Sequence, residues 1–179
     1  MSVVSNTTVL SNFAAIGQMD VLRRAYGVRY LAMHVYEEVT AGQVGTYRFY
    51  EAVDQLIDPP NTASWLRLTG LEGQEELRSF RECPPRLHAG EASCIAIARH
   101  RGWTLLTDDR DARREAERLG LRVSETIGSL VLAVERQLSP LDEANAWLHQ
   151  MIGQRYRSPI AGRRGDRRYP SGRRGYGRP

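Results

Sequence analysis

Five carboxylates and their neighbours carry most of what this sequence says about chemistry. Glu91 lies in Ala89-Gly90-Glu91-Ala92, a helix start otherwise made of small residues. Asp108 and Asp109 close the apolar run Trp103-Thr104-Leu105-Leu106-Thr107, and Asp111 follows. Glu38 stands in Val35-Tyr36-Glu37-Glu38-Val39, a short amphipathic pattern in which Glu37 is the competing acid. In an open parallel sheet, ligands bind beyond the carboxyl ends of the strands, so acids at these positions converge. Several carboxylates in one place repel each other unless cations neutralise them, and ligation by oxygen alone selects Mg²⁺ or Mn²⁺ over zinc. A pair of such ions roughly 3.5–4 Å apart activates water and stabilises the leaving oxygen in phosphodiester hydrolysis. Taken singly, each acid has a plainer role. Asp108 and Asp109 suit helix caps, Glu91 suits the positive end of its helix, and Glu38 suits solvent. Their combination is what argues for a site.

The elements that must position these acids alternate along the chain. A strand at 2–5 precedes a helix whose Val9, Leu10, Phe13 and Ile16 share one face. A helix at 20–25, a strand at 28–31 and a helix starting at 35 follow. Another helix is expected over 46–57, stopped by Pro59 and Pro60, which disfavour helix. Trp65, Leu66 and Leu68 suggest a short strand. In the second half the pattern predicts a helix at 90–101, a buried strand at 103–107, a helix at 112–119 and a strand at 121–124. Closing helices are expected at 127–137 and 141–152, the second entered through Ser139-Pro140 as N-cap and first turn. Strands separated by single helices, without hairpin turns, mean βαβ crossovers and a parallel sheet. The predicted class is α/β, a doubly wound parallel sheet flanked by helices.

At 179 residues the chain suits one well-buried domain. A hydrophobic share of 41% and a charged share of 26% fit a soluble globular protein. No apolar run approaches a membrane span, and no basic stretch leads into an apolar core near Met1, so a cytoplasmic protein without membrane contact is expected. Cys83 and Cys94 stand alone, without the His or Cys partners of a zinc site, and are expected as reduced, structural thiols.

The net charge of +4 is unevenly placed. Residues 155–179 carry nine Arg and one Asp, whereas residues 1–154 carry sixteen Arg and twenty acids. The boundary therefore falls between a mildly acidic domain, 1–154, and a basic tail, 155–179. The tail repeats Gly-Arg-Arg-Gly at 162–165 and 172–175 and lacks the apolar residues that would offset ordering entropy, so disorder is expected. Arg163, Arg164, Arg167, Arg168, Arg173 and Arg174, interleaved with Tyr169 and Tyr176, offer phosphate contacts and stacking surfaces for nucleic acid. A solubilising extension has the same composition.

The order of these segments resembles the PIN domain, and more closely its branch of VapC-type toxins. The matching pieces are Ser5-Asn6-Thr7-Thr8-Val9-Leu10, Val35-Tyr36-Glu37-Glu38-Val39, Gly90-Glu91-Ala92-Ser93, and Leu105-Leu106-Thr107-Asp108-Asp109-Arg110-Asp111-Ala112-Arg113. The last continues through Ala116 and Leu119-Gly120-Leu121, and together they span about residues 3–137. The resemblance implies a Mg²⁺- or Mn²⁺-dependent ribonuclease with Glu38, Glu91 and Asp108 as metal-site carboxylates. It makes Asp109 or Asp111 a supporting acid and Thr8 a hydroxyl near the metal. It further implies an RNA substrate, a small antitoxin covering the acidic cleft and, by analogy, a homodimer. The departure is Asn6, where the family carries Asp. A neutral amide supplies no anionic ligand, so weaker metal binding and attenuated activity follow, with the cap role intact.

Two competing classes use the same residues. A PIN scaffold that binds RNA or protein without cutting is favoured by Asn6 and the Arg–Gly tail. The retained Glu38, Glu91 and Asp108 favour the enzyme. A phospho-acceptor signalling domain also places Asp at strand ends, but the chain has two separate Glu-bearing helices and no Lys.

Overall fold

The computed structural model describes residues 2–27, 29–41, 57, 65–154 and 156. Five strands form one parallel sheet: β1 (Val3–Ser5), β2 (Arg29–Ala32), β3 (Leu66–Thr69), β4 (Thr104–Leu106) and β5 (Val123–Ser124), in the order β3-β2-β1-β4-β5. Register sets Ser5 level with Leu31 on one side and Leu106 on the other, and Leu106 level with Ser124. The strand order reverses between β1 and β4. Their carboxyl ends therefore part around the crevice where such sheets place ligands.

Eight helices are present among the described residues: α1 (Thr7–Ala15), α2 (Met19–Tyr26), α3 (Met33–Thr40), α4 (Gly73–Glu82), α5 (Ala89–Arg101), α6 (Arg110–Arg118), α7 (Thr126–Glu135) and α8 (Leu141–Gly153). Helices cover both faces of the central strands, so Val3, Val4, Leu105 and Leu106 are buried without alternation. α5 is the central helix. Residues 92–98 are all buried, and it packs on α3, α4, α6 and the sheet. Its end follows from Gly102, which takes the left-handed conformation (φ 65°) that a side chain disfavours.

Three sequence expectations differ from the structure. α4 was not anticipated, because its inward positions are Glu76 and Ser79 rather than an apolar stripe. Arg101 satisfies Glu76 and His100 satisfies Ser79. Strands β4 and β5 are shorter than the apolar runs that announce them. At α8 the N-cap is the extended Pro140 (ψ 158°), and the Ser139 hydroxyl is buried without capping the helix. The helix expected over 46–57 lies outside the described residues except for Ile57, as does residue 28 of the strand expected at 28–31. Among the described residues no helix is long and apolar enough to cross a membrane.

Candidate active site

At the crevice, β1 and β4 are joined one residue past their ends. The Asn6 N–H donates to the Leu106 carbonyl at 3.2 Å. Asn6 is 3% exposed. Its Oδ1 accepts from the Thr8 N–H (3.1 Å) and the Thr8 hydroxyl (2.7 Å), capping α1. Because a backbone N–H can only donate, the oxygen must face Thr8 and the amide nitrogen must face β4. There Nδ2 donates to Thr107 Oγ1 at 2.7 Å, and the same hydroxyl accepts the Asp109 N–H at 3.1 Å. Thr8 Oγ1 in turn accepts the Asp108 N–H at 2.9 Å. The expected hydroxyl at Thr8 thus bridges Asn6 and the β4 end.

The two β4 acids face different ways. Asp108 Oδ1 accepts from the Thr126 N–H (2.9 Å) and lies 3.5 Å from the Tyr156 hydroxyl. Asp108 Oδ2 accepts from the Thr126 hydroxyl (2.6 Å) and Asn12 Nδ2 (3.0 Å). Burial pushes this carboxyl above its ordinary range, although the Thr126 and Asn12 donors pull the other way. Asp108 thereby caps the N-terminus of α7. Asp109 caps its own helix, α6, through the Ala112 N–H at 2.8 Å.

On the other side of the crevice, Glu38 reaches from α3 to the first turn of α5, where its Oε1 accepts the Gly90 N–H at 2.8 Å. A Cβ on Gly90 would stand 2.6 Å from Glu38 Oε2 and 2.9 Å from a Val35 methyl, so only glycine leaves room for this approach. Glu37 is exposed. Glu91 Oε2 accepts the His88 N–H at 3.1 Å, and the His88 side chain accepts the Glu91 N–H, forming a capping box. Burial raises the Glu91 carboxyl above its usual range, and the negative charges of Asp109 and Glu38 add to the shift. The same two glutamates, after burial itself, push the Cys94 thiol up; Cys94 is buried beneath them and Cys83 is half-buried, both free thiols.

The first turns of α1, α5, α6 and α7 are therefore each capped at the crevice, by Asn6, Glu38 with Glu91, Asp109 and Asp108 in turn. Helix N-termini carry partial positive charge, which suits carboxylates and phosphates alike. Asp111 is oriented differently: it lies 3.9 Å from Arg86 and is half exposed. The six tail arginines singled out from composition lie outside the described residues. Sequence reasoning missed Asn12, Thr107, Thr126 and Tyr156. Thr107 could have been noticed beside Asp108; the other three become neighbours of Asp108 only through the sheet order.

Oxygen-only chemistry here fits a hard divalent cation. Glu38, Glu91 and Asp109 each engage one oxygen with a helix N–H and leave the second without a hydrogen-bond partner among the described residues. No cluster of three or more acidic, imidazole or thiol side chains poised to hold a metal ion occurs among the described residues. The fit is thus to a cation held by one or two carboxylates with waters and substrate phosphate, the mode common for Mg²⁺.

The five parallel strands, with their order reversing between β1 and β4 and helices on both faces, define a doubly wound α/β protein. The family model described as PIN domain matches residues 2–161, and the chain belongs to the PIN domain family, whose function is of nuclease type. No curated protein matches it.

Proposed function

We propose that this chain is a metal-dependent endoribonuclease of the toxin–antitoxin kind, in the VapC-like branch, attenuated at Asn6. The observation that carries this reading is the pair of half-free glutamates, Glu38 and Glu91, which meet at the first turn of α5 with the Asp109 charge near enough to act on Glu91. A cation would relieve their repulsion, and one or two of Glu38, Glu91 and Asp109, with waters and substrate phosphate, would hold Mg²⁺ or Mn²⁺. Such an ion supplies the charge that acidifies a water and neutralises a leaving oxygen. Water attacks the phosphorus of an RNA phosphodiester, the bond to the leaving ribose oxygen breaks, and no covalent enzyme intermediate forms. The partial positive charge at the N-termini of α1, α5, α6 and α7 favours a phosphate at the crevice.

Of the two β4 acids, Asp109 has the unpaired oxygen and is the proposed ligand. Asp108, expected from sequence as a ligand, enters instead as a positioning residue whose contacts with Asn12, Thr126 and Tyr156 hold α7 beside the site. The discriminating measurement is Mn²⁺ affinity of Glu91→Gln, Asp109→Asn and Asp108→Asn. Loss in the first two, with the third nearly intact, supports this set. Loss in Asp108→Asn alone reverses the assignment of the pair, and unchanged affinity in all three removes the site.

The same proposal includes a cytoplasmic location, a homodimer and a small antitoxin whose basic residue enters the acidic crevice. A second reading, a scaffold that binds RNA or protein without cutting, is favoured by one observation: Thr8 occupies Asn6 Oδ1 with two donors. The deciding experiment compares Mn²⁺-dependent cleavage of structured RNA by this chain and by Asn6→Asp. Cleavage that rises sharply in the variant and vanishes with chelator supports the nuclease. Absence of cleavage in each, with RNA or a protein still bound, supports the scaffold.

A further inference from the structure

The acidic crevice has a cation on its β4–β5 side that the proposed hydrolysis leaves without a task. Arg113 lies in the first turn of α6, where its N–H donates to the carbonyl of the N-cap Asp109 at 3.0 Å. Its Nη1 pairs with Oε1 of Glu125, the residue that joins β5 to α7. Thr126, next in the chain, is the residue whose N–H and hydroxyl hold Asp108. The guanidinium is thus tied between the N-termini of α6 and α7, and Asp108 is among the charges that act on it. Glu125 occupies Nη1 alone. Nη2 has no hydrogen-bond partner among the described residues, and Nε lies 3.9 Å from the exposed Glu117, too far for a hydrogen bond. The side chain is 30% exposed, so one edge of its planar fork is open to solvent chemistry. Residues 1–154 carry four more acids than arginines, and carboxylates line the site. A polyanion therefore needs a full positive charge there, beyond the partial charges of the helix ends.

We infer that Arg113 is a phosphate-binding residue of the strand-end site, its Nε–Nη2 edge taking two oxygens of an RNA backbone phosphate while Glu125 holds the Nη1 corner. This rests on the nuclease reading for why RNA enters the crevice, whereas the contact itself stands apart from cleavage. The guanidinium fork matches phosphate geometry with two parallel bonds, and it stays charged throughout, so no proton moves. A lysine at this position would match the charge but not the pair of bonds. Glu125 fixes the direction of the fork and is a positioning residue. Glu117, long and exposed, is a weak competitor for the open edge.

The test compares the unaltered full-length chain with Arg113→Gln, Arg113→Lys, Glu125→Gln and Arg122→Gln. Arg122 lies at the opposite, amino ends of the strands, where it donates to the Gly102 carbonyl, and it controls for the loss of one positive charge. Each chain is titrated in Mn²⁺ buffer with a 2′-O-methyl RNA of about eight nucleotides, verified intact afterwards, from about 50 to 200 mM salt. Arg113→Gln is expected to bind roughly tenfold more weakly at low salt. Its log–log salt slope should be shallower by about 0.7, the share of one single-strand phosphate. Arg113→Lys keeps the slope but not the full affinity, and Glu125→Gln and Arg122→Gln keep the slope. An ion pair that merely braces α6 against α7 gives another result: Arg113→Gln and Glu125→Gln lower the melting temperature alike and leave the slope unchanged, which overturns the assignment. Equal loss of slope in Arg122→Gln overturns it too, since any positive charge would then serve. If Arg113→Gln fails to fold, full affinity in Arg113→Lys overturns the paired contact. Slope loss confined to Arg113→Gln, with no cleavage of ordinary RNA by this chain or by Asn6→Asp, sinks the nuclease reading and leaves the phosphate contact. Cleavage by Asn6→Asp with an unchanged slope in Arg113→Gln does the reverse.

Discussion

Asn6 Nδ2 donates to Thr107 Oγ1 at 2.7 Å, fastening the end of β1 to the end of β4 at the point where the strand order reverses. The Thr107 hydroxyl is fully buried and also takes the Asp109 N–H. Thr107→Val keeps the shape and removes the acceptor from two donors at once. Each stranded buried donor costs about 1–3 kcal/mol, so urea unfolding should show a loss of roughly 2–4 kcal/mol. With Mn²⁺ present to offset the added buried charge, Asn6→Asp should cost under about 1 kcal/mol, since Asp caps as well as Asn and the Thr107 hydroxyl can turn to donate. A larger loss in Asn6→Asp than in Thr107→Val would refute this account of the junction.

Gly90→Ala sets two effects against each other. Alanine favours helix over glycine by about 1 kcal/mol, but the new Cβ meets Glu38 Oε2 at 2.6 Å and the buried Val35 at 2.9 Å. The carboxylate can swing away; Val35, packed in the core, cannot do so cheaply, and overpacking costs about 1–3 kcal/mol. A net destabilisation near 1 kcal/mol is expected. The Glu38→Ala background should recover part of it, because one of the two clashes is gone. Thermal shift by Mn²⁺ should shrink in Gly90→Ala, as Glu38 is displaced; an undiminished shift would separate Glu38 from the cation.

The parts of the fold that were legible are those whose chemistry is apolar. β1 and β4 read as strands because each is buried on two faces, and α5 because small and apolar residues fill its inward side. α4 was illegible for the opposite reason: hydrophobic periodicity has nothing to detect where Glu76 meets Arg101 and Ser79 meets His100. At the site, Asp108 and Asp109 could be located from the end of an apolar run, and Glu38 and Glu91 from helical patterns. Which helix each acid caps could not, because that depends on non-local pairing. Asp108 meets Asn12 and Thr126 only because β4 lies between β1 and β5, and no local spacing encodes that order.

Stability should peak in mild acid when no cation is bound. Burial raises Glu91 and Asp108, so the fold prefers their protonated forms. Their contribution is full below the ordinary carboxylate range and is lost as pH rises through the raised values. Glu76 and Glu115 behave oppositely. Glu76, despite its burial, is held low by Arg101 and the Glu72 N–H, and Glu115 by Arg118, so their contribution is lost as pH falls. A melting-temperature profile in chelator should decline toward neutrality as Glu91 and Asp108 ionise and decline again in stronger acid as Glu76 and Glu115 are protonated. Glu91→Gln should flatten the neutral side. A profile that climbs steadily from pH 5 to 7.5 would contradict the burial of these acids.

Arg101 offers a control that weakens the fold without touching the site. Its Nε and one terminal nitrogen hold Glu76 at 2.6 and 2.8 Å, and it also donates to Thr69 Oγ1 and the Gly70 carbonyl, binding α5 to α4 and β3. Arg101→Ala leaves the buried Glu76 carboxylate with only the Glu72 N–H for a partner, which costs about 3 kcal/mol. The Mn²⁺-induced shift of the melting temperature should persist in this variant. Its disappearance would mean that cation binding reports global stability rather than the strand-end acids.

Arg29 is the case where burial and attraction compete most openly. Its side chain is fully buried, and all three guanidinium nitrogens lack hydrogen-bond partners among the described residues. The Trp65 ring lies 4.5 Å from its charge and the Tyr26 ring 5.5 Å. Cation–π attraction of this sort is worth about 0.5–2 kcal/mol per ring, whereas desolvating the charge costs several kcal/mol even after relaxation. Desolvation wins, and it pushes the guanidinium down to about 9. Arg29→Met fills similar space without a charge and should stabilise the fold by about 1–4 kcal/mol. The sign has a second signature in pH. The native state releases this proton more readily than the unfolded chain, so stability of the unaltered protein should rise as pH climbs above about 9, and that rise should be absent in Arg29→Met. Urea titrations at pH 7 and pH 10 decide it: a methionine variant less stable at pH 7 would mean that the guanidinium is well paired in solution.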